Sequence, residues 1–426
     1  MKKFMRKTFS REAQLRLCLL IAISYTLLPG LALAEDDGLA LAIHAATHLN
    51  PQVRTKIELV ESLGYRVDEA KTGQLPTLSL IGQSNASNYN HGLFRIQQPL
   101  WAFGRIEGTI ELASKQLIAG KASLLQIRRQ LIEDTAATYA NLYGGRIRLA
   151  IAEQNVVEHE KLLALISRRM AGGIASEADT LLARSRLAQA RASREQLAGQ
   201  ITKAKSDLDA LTIRSIPALQ AAPDEFLRLP PTSELQAFAQ ENEAGVLQKM
   251  ADLSVAEGGA RQRRLELLPT ISFRHERDVA SNLPVGSPIS PVRSGIYLES
   301  ALEGAGLAGW TRLKGEDAKI RAAQQELETA RNDARRKVAG YFINLESLHA
   351  VRVSQEETTL ATETTLTSFL RQYDAGRKTW IDVLNTQKEL ADYRLSLEQT
   401  RISELELVLR LAAITGALDA PAQIQP

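Results

Sequence analysis

Cysteine, proline and aromatic residues are scarce: the 426 residues include 1 Cys and 14 Pro, and Phe, Trp and Tyr together make 5%. A single cysteine excludes a disulfide framework and any zinc site built on thiolates. There is no G-x-S-x-G nucleophile elbow and no P-loop. His44 and His48 stand four apart, but Ala45 occupies the place where a zincin carries its Glu. The other histidines (91, 159, 275 and 349) are scattered, and Gly304-Ala305-Gly306 lacks the strand-and-loop context of a dinucleotide site. These absences argue against an enzyme and predict no catalytic residue, no cofactor and no metal. The apolar fraction of 44% suffices for a core but falls short of a polytopic helical membrane protein.

The amino terminus changes the charge arithmetic. Lys2, Lys3, Arg6, Lys7, Arg11 and Arg16 precede an apolar run over Leu17 to Leu28, and Ala32-Leu33-Ala34 has the form of a cleavage site. The run is short for a span of about 20 residues, so the pattern predicts a cleaved signal peptide rather than a membrane anchor, with the mature chain starting at Glu35. Removing residues 1–34 takes away six basic residues and Glu12, which turns the net charge from +3 to −2. The basic balance belongs to the leader, so no nucleic-acid partner is implied. Cys18 sits before most of the apolar run, whereas a lipoprotein signal places its Cys after it.

Proline placement then draws the architecture. None occurs between 100 and 216, a block of 117 residues, or between 292 and 420, a block of 129. Proline costs about 3 kcal/mol inside a helix, so these Ala-, Leu-, Arg-, Glu- and Gln-rich blocks read as long helices. Heptad steps agree: Leu117, Leu124 and Leu131; Ile118, Leu125, Ile132 and Tyr139; Leu395, Ile402 and Leu409. Such steps predict coiled-coil seams. Each block breaks once, at Ala171-Gly172-Gly173 before Ser176 and Asp179, and at Asp374-Ala375-Gly376 before Thr379 and Asp382. Each block is therefore expected to be a helical hairpin. The first outgoing helix, from about Gly104 to Met170, would be roughly 100 Å long at 1.5 Å per residue.

The chain also repeats internally. Leu75-Pro76-Thr77-Leu78-Ser79-Leu80 returns as Leu268-Pro269-Thr270-Ile271-Ser272-Phe273, offset by 193, and near the breaks the offset is 203. The extra residues are placed most simply in the loop from Ser281 to Pro288. Ahead of each long helix lies a segment of alternating residues: Phe94, Ile96, Gln98 and Leu100 against Leu93, Arg95 and Gln97, then Ile296 and Leu298 against Tyr297 and Glu299. Strands of about 10 alternating residues are those of a membrane β-barrel. Two soluble hairpins are the alternative. Four strands cannot close a barrel, and an open edge in lipid leaves backbone groups unpaired at several kcal/mol each. If the hairpins span a membrane, several copies must complete the sheet, and three copies give twelve strands.

On these motifs the chain resembles the TolC family of outer-membrane channels. The resemblance spans nearly the whole mature chain. It rests on Asn50-Pro51, the two Leu-Pro-Thr strand starts, Gln98 to Arg105, the stretch Gln372 to Gln387, and Leu411 to Gly416. The stretch 372–387 is most similar to the branch serving type I secretion of large surface adhesins (LapE-like). The resemblance implies a mainly α fold with a small β part: a long antiparallel coiled-coil helical barrel and a transmembrane β-barrel completed by trimerisation. The expected organisation is a signal peptide at 1–34 and a first repeat at 35–214, with a β-hairpin about 75–101 and a helical hairpin about 104–213. A Pro-rich equatorial linker follows at 215–231. The second repeat is expected at 232–416, with a β-hairpin about 268–303 and a helical hairpin about 307–415, then a tail at 417–426. Shorter helices are expected to stack end to end, Leu39–Lys71 on Ser176–Arg214 and Thr232–Leu267 on Thr379–Gly416.

The resemblance further implies an exit duct extending from the outer membrane into the periplasm, with outer-membrane lipid around it. The implied partners are two further copies, a periplasmic adaptor, an inner-membrane ABC transporter that supplies the energy, and an exported protein such as an adhesin. A multidrug efflux duct shares the fold and is the second reading; a periplasmic coiled-coil adaptor is a third. By the same resemblance the hairpin tips form the periplasmic gate. Asp382 matches the family's first gate aspartate, and Asn385 stands where a second would be, which halves the ring's charge. Asp179, Tyr373 and Lys378 would latch the tips, and Gly172, Gly173, Gly376 and Arg377 would meet the adaptor. Lys378 lacks the planar fork of an arginine. Asp179 and Asp382 also read as first-turn helix caps, and the two roles are compatible.

Overall fold

The structure, a computed structural model, describes residues 38–84, 90–216, 221, 229–281, 292–300, 307–420 and 422–423. The expected leader, residues 282–288 of the loop and most of the proline-rich linker lie outside them. Twelve elements follow in order: α1 (Gly38–Leu49), α2 (Pro51–Thr72), β1 (Thr77–Ser84), β2 (Asn90–Trp101), α3 (Arg105–Ala171), α4 (Glu177–Thr212), α5 (Thr232–Asn242), α6 (Ala244–Leu265), β3 (Thr270–Ser281), β4 (Val292–Glu299), α7 (Leu307–Asp374) and α8 (Trp380–Thr415). Among the described residues no helix is long and apolar enough to cross a membrane.

The repeat is visible in the lengths. Helices α2 and α6 each have 22 residues, α3 and α7 have 67 and 68, and α4 and α8 have 36 each. Uninterrupted helices of this size extend roughly 100 Å. Their length follows from the absence of proline and ends at glycine.

The strands form one antiparallel sheet in the order β1-β2-β3-β4. Opposed residues share a face, so the register separates two surfaces. One is polar: Arg95 Nε donates to Glu276 Oε1 at 2.7 Å, Gln97 Nε2 donates to Ser272 Oγ at 3.2 Å, and Arg274 pairs with Glu299. The other carries Leu78 opposite Ile96, Leu80 opposite Phe94, and Phe273 opposite Ile296. A register shift between Pro99 and Trp101 sets Trp101 opposite Ile271, which turns the indole onto this apolar face. Leu78, Leu80, Ile296, Leu298 and Trp101 are all exposed in one protomer.

Two stacks of short helices lie beside the long ones, and their splices occupy equivalent positions. Asn50 caps α2 by accepting from Gln52 N at 2.9 Å, and its Nδ2 donates to the Leu211 carbonyl near the end of α4 at 3.1 Å. At the matching position, Glu243 caps α6 by accepting from Gly245 N and Val246 N at 2.8 and 3.2 Å. The core concentrates at these splices. Leu39 and Ile43 of α1 pack with Ile132 and Tyr139 of α3, Leu208 of α4 and Leu409 of α8. Leu235 and Val246 pack with Val338 of α7 and Leu411 of α8. A charge knot fastens the same level: Glu133 of α3 accepts from Lys337 at 2.7 Å, Tyr341 at 2.9 Å and Arg410 at 3.0 Å. Burial drives the Glu133 carboxyl upward, but these donors outweigh it and hold the group below its ordinary value. Burial and the Glu133 charge together push the Tyr341 hydroxyl up to about 12.

The heptad residues divide by what covers them. Leu131, Ile132, Tyr139, Ile402 and Leu409 are buried, whereas Ile118 is 57% exposed. The cause is geometric, because one protomer's helices cover only part of the surface of α3. Helices α3 and α8 approach closely at one point, where a Cβ on Gly144 would fall 2.0 Å from Ile402 Cγ1. Overpacking of this kind costs about 1–3 kcal/mol. Gly144→Ala is therefore expected to lower the thermal midpoint, and adding Ile402→Ala should recover part of the loss in a melting experiment.

Candidate functional site

The ends of the hairpins farthest from the sheet are built alike. At the first, Gly173 N donates to Met170 O at 2.9 Å and Ile174 N to Arg169 O at 2.9 Å. At the second, Gly376 N donates to Tyr373 O at 3.0 Å and Arg377 N to Gln372 O at 2.8 Å. Both are Schellman closures, and they require the left-handed backbone of Gly173 and Gly376, φ +73° and +72°. A Cβ at either glycine would meet nothing within 4 Å, so backbone conformation rather than crowding selects glycine there. Gly172 and Arg377 flank the two turns, and Ile174 is 78% exposed at the first.

Each returning helix starts in a capping box. Ser176 Oγ donates to Asp179 Oδ2 at 2.7 Å, and Asp179 N returns a bond to Ser176 Oγ at 3.1 Å. Thr379 Oγ1 donates to Asp382 Oδ2 at 2.6 Å, and Asp382 N donates to Thr379 Oγ1 at 3.3 Å. The Thr379 hydroxyl, then its backbone N–H, then Lys378, hold the Asp382 carboxyl below its ordinary range. The cap contributes at neutral pH and is lost only as acid titrates through that depressed value.

The remaining tip residues meet other partners within one protomer than each other. Lys378 Nζ lies 3.4 Å from Asp382 Oδ2 and 4.1 Å from the centre of the Phe369 ring. The Tyr373 ring packs on Trp380 at 5.1 Å and under the Arg169 guanidinium at 4.4 Å. At the tips the two hairpins are joined by the ion pair Arg169–Asp374 at 2.7 Å. Sequence reading did not single out this pair, although opposite charges just ahead of the two glycine turns were a usable signal. Asn385 accepts from Arg186 Nη2 of α4 at 2.9 Å. Beneath lies a shared apolar cluster of Leu162, Ile166, Ala183, Leu366, Trp380, Val383 and Leu384. The tip is thus four helix ends on one core, latched by exposed polar contacts worth about 0–1 kcal/mol each.

At the opposite end the aromatic residues gather where strands become helices. The Trp101 and Phe103 rings lie 5.5 Å apart, and Trp310, in the first turn of α7, carries Lys314 Nζ at 3.6 Å over its ring. An apolar strand face bounded by exposed aromatics is the girdle pattern of membrane barrels. Among the described residues no group of three or more His, Cys, Asp or Glu is placed to hold a metal.

Known proteins share part of this sequence and its overall fold. Residues 42–212 match the family model for outer membrane efflux proteins. A stretch of 182 residues is 30% identical to outer membrane protein OprJ of Pseudomonas aeruginosa, taking in 43% of this chain and 37% of that relative. The chain thus spans well under half of OprJ. Over 434 residues it is 21% identical to outer membrane efflux protein BepC of Brucella suis biovar 1, covering 98% of this chain and 93% of BepC. Among solved structures, CusC matches with a TM-score of 0.76 at 17% identity, over 89% of this chain and 92% of that one.

Arg169→Ala removes both the ion pair to Asp374 and the cation over Tyr373. It is expected to loosen the tip by about 1 kcal/mol, read as faster amide exchange in residues 166–180 and 370–384 with the overall melting midpoint unchanged.

Proposed function

We propose, on the premise that this chain belongs to the TolC-like outer membrane efflux protein family, that it is the passive exit duct of a tripartite efflux system, seated in the outer membrane and reaching into the periplasm. The observation that carries this reading is a four-stranded sheet with one apolar face and two unpaired edges, set on helical hairpins roughly 100 Å long. The duct itself is read as a transport protein and not as an enzyme. The match to the outer membrane efflux protein model and the likeness to outer membrane efflux protein BepC favour efflux over export of a large protein.

The working unit is a homotrimer. Three sheets supply twelve strands and leave no edge in lipid. Ile118, Ile343 and Leu360, exposed on the long helices, are then covered by neighbouring copies. The partners at the tip are a periplasmic adaptor, met by the turns at Gly172, Gly173, Gly376 and Arg377, and an inner-membrane transporter. Asp382 lines the closed end, where threefold symmetry makes a negative ring that favours cations. Asn385 leaves the next level uncharged. Asp179, Tyr373 and Lys378 contribute to the latch, across protomer boundaries as well as through the contacts within one chain.

Deleting the gene is expected to raise sensitivity to several unrelated toxic compounds, with resistance restored by the wild-type copy. Unchanged sensitivity together with loss of a large surface protein would instead support a secretion duct of the type I class. Asp382→Lys is expected to lower cation selectivity in planar-bilayer recordings, and unchanged selectivity would remove this residue from the pore.

A further inference from the structure

Above the tip turns, a polar layer runs through the helices, with His159 and Gln387 buried and Asn155, Arg186 and Asn385 half-buried. His159 of α3 is 3% exposed, and its Nδ1 has no hydrogen-bond partner among the described residues. Arg186 of α4 faces it. Arg186 donates to Gln189 Oε1 at 3.2 Å and to Asn385 Oδ1 of α8 at 2.9 Å. Its Nε is buried without a partner. One turn before His159, Asn155 accepts from Gln387 Nε2 of α8 at 3.2 Å. Three helices therefore meet through amides, an imidazole and a guanidinium.

The charges around the imidazole are unbalanced. Helix α4 contributes the Arg186 cation and α8 contributes the uncharged Asn385 and Gln387. Glu158 is the acid near it, on α3 itself, and that carboxylate is engaged by Lys161 at 3.0 Å and by Gln154 at 2.6 Å. A proton on His159 would thus add a buried cation beside the half-buried Arg186 with no carboxylate in the layer to receive it. Such a group is costly to keep buried.

We propose that His159 makes the tip acid-sensitive: proton uptake there loosens the α3–α4–α8 layer and frees the hairpin ends. Burial first, and the Arg186 charge second, lower the His159 pKa from its ordinary value. The sign follows. The packed tip is fully stable while the imidazole is neutral, and it loses stability as pH falls below about 6.5, the free histidine value. The capping aspartate at 382 titrates only in much stronger acid, so the two responses separate on the pH axis. The inference deepens the duct reading by naming a proton as a ligand of its closed end.

The test is amide hydrogen exchange on the purified, detergent-solubilised full chain at pH 7.5 and pH 5.5, corrected for intrinsic exchange rates. In the wild type, acid should produce a several-fold loss of protection in residues 155–190 and 380–390, with α5 unchanged. His159→Gln keeps a polar side chain that takes no proton and should abolish that response. Arg186→Gln removes the repelling cation and should shrink it, which keeps the test available if the first variant does not fold. An acid response that persists undiminished in His159→Gln, or its absence from the wild type, overturns the proposal. Exchange at the tip does not require that the tip be a gate, so this failure is distinguishable from failure of the Asp382 selectivity measurement.

Discussion

Strands β1 and β4 border the sheet, and each leaves one row of backbone N–H and C=O groups without a strand partner in a single chain. In water such an edge is solvated; in hydrocarbon each unpaired group costs several kcal/mol. On the proposed reading, the apolar face bearing Leu78, Leu80, Ile296 and Leu298 meets that costly medium. The rest of the organisation follows from this mismatch. On the proposed duct reading, copies close the sheet, closure imposes a rotation axis, and the axis turns two hairpins per chain into a continuous helical wall. A protomer is accordingly an open segment whose exposed isoleucines and leucines are expected contact surface.

The helical wall meets a different constraint, since helices of this length have no compact core to fold around. The structure answers by concentrating large buried side chains at two levels, the splices near Tyr139 and Val338 and the tips near Trp380. The charge knot of Glu133, Lys337, Tyr341 and Arg410 ties three long helices at the first level. The tips hold on a smaller cluster and on exposed polar contacts. Packing is therefore graded along the molecule, with more of the buried core at the middle and less at the tips.

Much of the fold was legible because it rests on local chemistry. Proline excludes helix, so its absence marked α3 and α7; glycine permits positive φ, so Gly173 and Gly376 marked the turns; and Ser176 and Thr379 with an aspartate three residues on marked the helix starts. The strands were legible by alternation at Phe94, Ile96, Ile296 and Leu298, but the register shift that re-aims Trp101 was not, because a bulge depends on the partner strand. The tip was legible only in part. Asp179 and Asp382 announce themselves through spacing, whereas Arg169–Asp374 and the His159–Arg186 layer join residues far apart in the chain. No periodicity reports such encounters. The Ile118 heptad shows the opposite difficulty: the pattern marks an apolar seam without saying whether the matching surface lies in the same molecule.

The alternation in β1 to β4 bears on how the polypeptide reaches its destination. Arg95, Gln97, Arg274, Glu276 and Arg293 interrupt the apolar residues at nearly every second position, and no described helix offers a membrane-length apolar run. A translocon scanning the emerging chain would find no stop-transfer signal in any of these segments. On the proposed duct reading, the polypeptide passes wholly through one bilayer unfolded and becomes lipid-compatible only after its strands have paired, so membrane affinity belongs to the assembled sheet and is hidden during transit.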